Sequence, residues 1–382
     1  MTQWPHNHLP PAPKVCLPPK RFLVEPEFLD HGYCPDYPVT VMEPITAADY
    51  PSLLAGDLVV TRHRGSFLRP CPATPLYNCC GLNIIHIGQG CHLGCRYCVL
   101  AAYLGSEAVI RFGNLNQALI ELAGILKTIE EAESDRLPTA WPAERSYRFC
   151  TGEFTDSLIY DQQFGVSQRL IQLFRDQTKS CLELKTKTAD LERLMELDHG
   201  GRTVLSFSVN APAIAESLEP LAAPLISRLA AAGRAASFGY PIGLHFDPIV
   251  HHQGWRAGYG ATIDLIDQFV PWDRIAWISL GCFRYLAPLK NALLTANPSE
   301  LFNEEFTRGH DGKLRYPRPL RQLLYQGLLE RLRPHLDPRT TVYLCMESSR
   351  MWLDLFGFDP TTLNLTNRFR EPFLTQAWEP IS

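Results

Sequence analysis

No apolar run in this 382-residue chain is long enough to cross a bilayer. The opening stretch, MTQWPHNHLPPAPK, lacks the charged-then-apolar order of a secretory leader. The expectation is a cytoplasmic protein with no membrane partner. Positive charge is not in excess either: 36 Lys and Arg face 40 Asp and Glu, for a net charge of −4, so no global basic field invites nucleic acid. Internal repeats and low-complexity tracts are missing, so no repeat architecture is expected. With 46% hydrophobic and 20% charged residues, bulk disorder is excluded.

What the chain does have is cysteine, twelve of them. In an unexported protein this number argues against a disulfide framework and for metal ligands or reactive thiols. The scattered ones (Cys16, Cys34, Cys71, Cys181, Cys282, Cys345) read as core residues, because a free thiol buries well. Proline is also plentiful, at 31 residues, and crowds the first 90 positions. Residues 1–82 therefore read as an irregular extension with strand-like pieces such as Asp57–Val60.

From residue 83 the texture changes. Short apolar runs at 83–90, 146–150, 181–187, 203–209, 241–250 and 274–281 alternate with amphipathic helical stretches, the first of which Asn114 can cap. Strand–helix alternation of this kind implies a parallel sheet with right-handed crossovers. The predicted fold is α/β: a partial (β/α)6 TIM-like barrel over 83–285, between the N-terminal extension and a C-terminal α-rich extension over 286–382. In such folds reactive residues gather at the C-terminal ends of the strands. Cys91, Cys150 to Glu153, Lys187, Ser208 with Asn210, and Asp247 all fall there.

The strongest signal is CHLGCRYC at 91–98, three thiolates spaced x3 then x2 in the loop after the first strand of this series. Soft thiolates suit zinc or iron–sulfur. A closed structural zinc site wants four ligands, and the usual ferredoxin run carries a fourth nearby cysteine. Three thiolates on a four-iron cluster leave one iron open for a substrate or cofactor. A zinc site completed by Cys79, Cys80, His86 or His92 is the alternative.

C-x3-C-x-aromatic-C after the first strand of a partial barrel resembles the radical S-adenosylmethionine superfamily. Within it the chain is similar to the spore photoproduct lyase family. The likeness runs through EP-x-x-LD near 25–30, CRYCVLAAYLGS-x-x-x-IR at 95–111, LDHGGRT-x-x-SFSVN at 197–210, GYPIGLHFDPI at 239–249 and HHQGW at 251–255. The resemblance implies a [4Fe-4S] cluster on Cys91, Cys95 and Cys98. Its open iron would take S-adenosylmethionine, whose reductive cleavage gives a radical that abstracts hydrogen from substrate, with the protein supplying position and a dry cavity. It implies Tyr97 beside the adenine, Gly152 and Glu153 at the methionyl amino group, and Lys187, with Lys185 as a neighbour of the same chemistry, at the cofactor carboxylate. Ser208 and Asn210 would meet the ribose hydroxyls, or else cap the strand end. Asp247 stands where the lyases have an apolar residue and would reach cofactor or substrate, or cap the turn before Pro248. Cys150 matches the cysteine that returns a hydrogen atom to the repaired base. One position departs: the lyase tyrosine that follows the third cluster cysteine is Val99 here, which has no O–H, and Tyr103 lies one helical turn onward.

Residues 308–339 carry a local net charge of +5. They only loosely echo the lyase's DNA-gripping hairpin, with Arg315, Arg318 and Arg321 as expected phosphate contacts and Tyr316 as a stacking face. The helical period of RQLLYQGLLERLR offers a solvated helix face instead. Three functions stand at this stage. The first is repair of a pyrimidine lesion in damaged DNA, bound through 308–321, with a flavodoxin or ferredoxin as electron donor. The second is the same chemistry on a peptide, metabolite or modified nucleoside. The third is a non-catalytic zinc-thiolate protein.

Overall fold

The computed structural model describes residues 18–30, 37–71, 76–104, 107–131, 147–288, 290–291, 300–302 and 304–360. Cys16 and Cys34 lie outside them. Every predicted strand core is present, in order: β5 (Asn83–Ile85), β8 (Arg148–Cys150), β9 (Cys181–Thr186), β10 (Thr203–Ser208), β11 (Ile242–Ile249) and β12 (Ile275–Cys282), each parallel to the next. Their residues are almost continuously buried, as expected of parallel strands covered on both faces. Two strands extend this sheet beyond the predicted six. β4 (Leu68–Pro70) pairs antiparallel with β5, and β16 (Thr341–Leu344), from the C-terminal extension, pairs parallel with β12.

The N-terminal extension is more regular than its proline content suggests. β1 (Arg21–Val24), β2 (Val39–Val41) and β3 (Asp57–Thr61) form a parallel ribbon joined by β7 (Val109–Phe112), with β6 (Gly88–Gln89) antiparallel at its edge. The run 83–90, read as one strand, is therefore two. The chain leaves the barrel sheet after Ile85 and enters the second sheet at Gly88. Glycine permits the passage: a Cβ on Gly88 would sit 2.3 Å from the Ile110 carbonyl oxygen, and one on Gly90 2.3 Å from that of Ala108. This crossing aims the loop at 91–98 over the end of the barrel sheet.

Helices Leu115–Glu131, Val166–Phe174, Leu225–Ser237, Trp255–Phe269 and Arg318–Leu332 lie between successive barrel strands. The first buries Leu115, Ala118, Leu122, Leu126 and Ile129 at three- and four-residue spacing. Asn114 stands before it, but its side chain holds the backbone of His63, accepting from the amide at 2.9 Å and donating to the carbonyl at 2.9 Å.

The eight-stranded sheet curls until its two ends approach. Asn78, ahead of β5, bridges to Glu347, beyond β16. Across the interior, Arg148 on β8 donates to the Tyr343 hydroxyl on β16 at 3.2 Å. Between them lies a buried polar centre that the sequence did not announce. Glu183 accepts from Ser206 Oγ at 2.6 Å and Trp277 Nε1 at 2.9 Å, meets His245 Nε2 at 2.8 Å, and stands 3.5 Å from Arg148 Nε. Burial opposes its charge, yet Arg148 and His245 hold its carboxyl well below the usual range. A curled, incompletely closed sheet with a filled interior positions everything that follows.

Candidate radical-chemistry site

The loop at 91–98 sits at the open end, stitched to its neighbours by backbone. Gly90 N donates to Phe154 O at 2.9 Å, Arg96 N to Leu218 O at 2.8 Å, and Cys98 N to Cys95 O at 3.0 Å. Gly94 takes a φ of 65°, the left-handed conformation that suits glycine. Cys91, Cys95 and Cys98 are partly buried free thiols that feel one another electrostatically. Burial pushes the Cys91 thiol well up and the Cys95 thiol to about 12, with nearby Asp156 raising the first and Lys187 opposing the rise in the second. A metal centre bound here would supply the positive charge that favours the thiolate form of such buried sulfur.

The zinc alternative finds no support in the placement of its extra ligands. His86 packs between Phe112 and Phe154, His92 Nδ1 meets the Tyr160 hydroxyl at 2.5 Å, and Cys80 accepts from Arg148 at 2.9 Å. Among the described residues, no three His, Cys, Asp or Glu side chains converge on one metal position. A four-iron cube asks less convergence than a single ion, because each thiolate takes a different iron.

Around this loop the structure assembles most of the predicted residues and adds some that the sequence did not mark. Tyr97 is buried, and its hydroxyl donates to Glu219. Glu219 pairs with Arg228 at 2.5 Å, and Arg228 in turn donates to Ser208 O at 2.7 Å and Ala223 O at 2.8 Å. Lys187 Nζ stands 5.7 Å from the Tyr97 ring centroid. Tyr97, Lys187 and Ser208 thus form one wall, held by a Glu219–Arg228 pair whose members lack any local motif. Asp156 organises the adjoining loops. It accepts from the amides of Leu158 at 2.9 Å and Ile159 at 3.1 Å, from Thr186 Oγ1 at 2.8 Å, and from Lys187 N at 2.7 Å.

The second wall follows β8. Cys150 is fully buried, and its sulfur accepts from Gly152 N at 3.2 Å. Burial, reinforced by Glu183, pushes its thiol up to about 12. Gly152 is required there, since a Cβ would lie 2.8 Å from Lys185 Cβ. Glu153 lies 3.5 Å from Lys185 Nζ. Lys185, on β9, and Lys187, just past its end, have different surroundings: Lys187 faces Tyr97 and Cys95, whereas Lys185 faces Glu153, Cys150 and Asp247. Tyr103 is half-exposed and faces Asp311, Glu153 and Arg284 across the mouth.

At two places the structure engages the expected side chains within the protein. Both ends of the Asn210 side chain are occupied: Nδ2 donates to Pro248 O at 3.0 Å, and Oδ1 accepts from Ala211 N at 3.0 Å and from the Tyr259 hydroxyl at 2.8 Å. It ties the loops together, as a strand-end cap does. The basic segment is largely neutralised from within. Arg315 is buried, pairs with Asp311 at 2.6 Å through both nitrogens and stacks 3.9 Å over Tyr77. Arg321 is buried against Glu347 at 2.8 Å, Arg318 pairs with Asp354, and Tyr316 is fully buried. Arg315 and Arg321 are thus internal ties, while Arg318 makes its pair at the surface. Arg308 and His310, on and beside β14 (Thr307–Arg308), which pairs with β15 (Leu314–Arg315), remain exposed.

A protein-family model described as spore photoproduct lyase matches residues 81–316. The spore photoproduct lyase of Bacillus subtilis (strain 168) is 30% identical over 189 residues, 50% of this chain and 52% of that protein. The Geobacillus sp. (strain Y412MC61) enzyme of the same name is 29% identical over 175 residues, 46% and 48% of the two chains. The chain thus spans about half the length of these curated relatives. A solved spore photoproduct lyase complexed with dinucleoside spore photoproduct superposes with a TM-score of 0.69 at 22% identity, covering 85% of this chain and 98% of that one. A doubly substituted variant with bound AdoMet and dinucleoside spore photoproduct does so with a TM-score of 0.69 at 21% identity, covering 85% and 98%. The structural likeness establishes the partial barrel.

Proposed function

The chain belongs to the spore photoproduct lyase family, and from that premise we propose that it is a radical S-adenosylmethionine enzyme repairing a pyrimidine lesion in DNA. Cys91, Cys95 and Cys98 would hold a [4Fe-4S] cluster whose open iron takes S-adenosylmethionine. Bound there, the pair supplies reductive cleavage of the cofactor and hydrogen abstraction from substrate.

The remaining roles fall to the chain's own residues. Tyr97 and Lys187 form a wall for the cofactor. Lys187 offers a cation to its carboxylate, and Glu153 with Gly152 offers an anion and close approach to its amino group. Ser208 lies on the ribose side, Asn210 fixes the loop beneath it, and Asp247 faces the far side of the mouth. Exclusion of water from this space by a bound substrate would confine the chemistry between the two walls.

The observation that carries the reading is Cys150: a fully buried thiol at the end of β8, the strand next to β5, with its sulfur held by Gly152 N at 3.2 Å and burial favouring its S–H form. Only an S–H, never a thiolate, can hand a hydrogen atom to a carbon radical. Tyr103, one helical turn beyond Val99 and exposed, is the hydroxyl that would stand in for the oxygen missing there.

The lesion must be extruded to reach this mouth. A flavodoxin or ferredoxin is the class of electron donor that fits a low-potential cluster. No helix among the described residues is long and apolar enough to cross a membrane; a cytoplasmic place of action is part of the proposal.

A second reading keeps the chemistry and changes the substrate to a peptide, metabolite or modified nucleoside. The internal pairing of Arg315, Arg318 and Arg321 favours it. Anaerobic reconstitution followed by iron and sulfide analysis and a 5′-deoxyadenosine assay tests both readings at once. Cys91→Ala is expected to lose cluster and cofactor cleavage. Comparing a spore-photoproduct dinucleoside with peptide and nucleoside candidates then separates the substrates. Zinc without iron and sulfide in the wild-type protein would refute the radical reading.

A further inference from the structure

Opposite the cysteine loop, beyond Lys185, the mouth holds a second paired group that the chemistry above leaves unused. Asp247, near the end of β11, and Arg284, on β13 (Arg284–Tyr285), face each other oxygen to nitrogen at 3.3 Å twice over. The arrangement is fixed from behind. Arg284 also donates to Cys282 O at 3.1 Å and Cys345 Sγ at 3.3 Å, and Cys345 lies against Asp247 as well. Gly281 leaves room for the carboxylate, since a Cβ there would stand 2.7 Å from Asp247 Cγ. The side chains nevertheless keep 24% and 15% of their surface open. Both hydrogen bonds are long, so each partner keeps capacity for another. Lys185, which pairs with Glu153 at 3.5 Å, feels both the Asp247 carboxylate and Cys150 electrostatically, so the pair belongs to the same charged surroundings as the buried thiol.

We propose that Asp247 and Arg284 form the base-reading site, accepting the imide N–H of an extruded thymine-type ring at Asp247 and donating to its flanking carbonyl from Arg284. A charge pair of this kind is net neutral and presents an acceptor beside a donor. That complements the donor–acceptor edge of an imide, and an edge of that kind is what an enzyme reads on a flipped base. A phosphate would meet the Asp247 carboxylate and be repelled, so the site is not a second anion cradle. This inference rests on the pyrimidine-lesion reading and names the residues that would select the lesion.

The test is a cycle between protein and ligand. Binding of dinucleoside spore photoproduct and of its N3-methylated form is measured in the wild-type protein, in Asp247→Ala and in Asp247→Asn, with thermal unfolding recorded for each. The wild-type protein is expected to bind the methylated form roughly ten- to a hundredfold more weakly, the range for a hydrogen bond to a charged group. Asp247→Ala should bind both forms equally weakly. Asp247→Asn, which keeps the shape and an acceptor oxygen, should retain part of the preference. A merely structural Asp247 would lower both affinities and leave their ratio intact. An unchanged ratio in Asp247→Ala, or no preference in the wild type, overturns the inference while leaving the lesion reading standing. Failure of the wild type to bind either form sinks that reading and the inference together.

Discussion

If Cys150 returns the hydrogen atom, the yield of that step should stay flat with pH well past the point where an ordinary cysteine ionises. The perturbation is pH itself, read against Cys150→Ala. Burial pushes this thiol to about 12, with Glu183 adding to the rise and Lys185, Gly152 N–H and Arg148 working against it. At pH 9 about one molecule in a thousand would carry the thiolate. A cysteine at the reference value of about 8.5 would be roughly three-quarters ionised, leaving only a quarter of the enzyme with an S–H to give. The assay counts repaired dinucleotide per 5′-deoxyadenosine at each pH from about 6 to 10, so that losses in cluster reduction or cofactor cleavage cancel. A constant ratio is expected across that range. In Cys150→Ala, 5′-deoxyadenosine should still form while the ratio collapses. A ratio that falls with a midpoint near 8.5 would show an exposed thiol and refute the reasoning. Equal loss of both products in Cys150→Ala would remove the residue from the donor role.

The polar centre of the barrel gives a stability prediction. Glu183→Gln strands the buried Arg148 charge and should cost about 3–5 kcal/mol in denaturant unfolding, and a loss under about 1 kcal/mol would contradict the pairing described. Burial, joined by the nearby Arg69 and His63, lowers the pKa of His86 to about 3, whereas the unfolded chain protonates near 6.5. Below pH 6.5 the unfolded state therefore binds the extra proton, and stability falls by up to about 1.4 kcal/mol per pH unit until the native group titrates. His86→Phe should flatten that acid slope in melts between about pH 6.5 and 4, and an unchanged slope would exclude His86 as its source. On the basic segment, Arg308→Ala should reduce the salt dependence of lesion-oligonucleotide binding by about one counterion. Arg321→Ala should lower the melting temperature instead, because Arg321 is buried on Glu347; the opposite pattern would restore Arg321 as a phosphate contact.

Much of this protein was legible before any coordinates. The six barrel strands announced themselves because a strand buried on both faces must be a short apolar run, a property of consecutive residues. The cysteine loop was legible for the same reason: three cysteines within eight residues stand out as a candidate ligand set whatever the rest of the chain does. Cys150 and Gly152 followed from the rule that strand ends face the mouth.

Other features were decided only when distant segments met. The run 83–90 reads as one strand until the Ala108 and Ile110 carbonyls are seen to crowd Gly90 and Gly88, and it becomes two. Tyr97 carries no sign that its hydroxyl will find Glu219, 122 positions away. Arg315 and Arg321 look like a phosphate-binding surface, since composition counts charge without saying where the counter-charges lie. Asp311 and Glu347 answer that question in space, within hydrogen-bond reach. The Asp247–Arg284 pair depends likewise on β11 and β13 reaching the same mouth. Ligand identity and strand rhythm are local, so the sequence carries them by itself. Which charges are neutralised and which face the substrate depends on through-space energies a few ångströms in range, and only the folded barrel brings those partners that close.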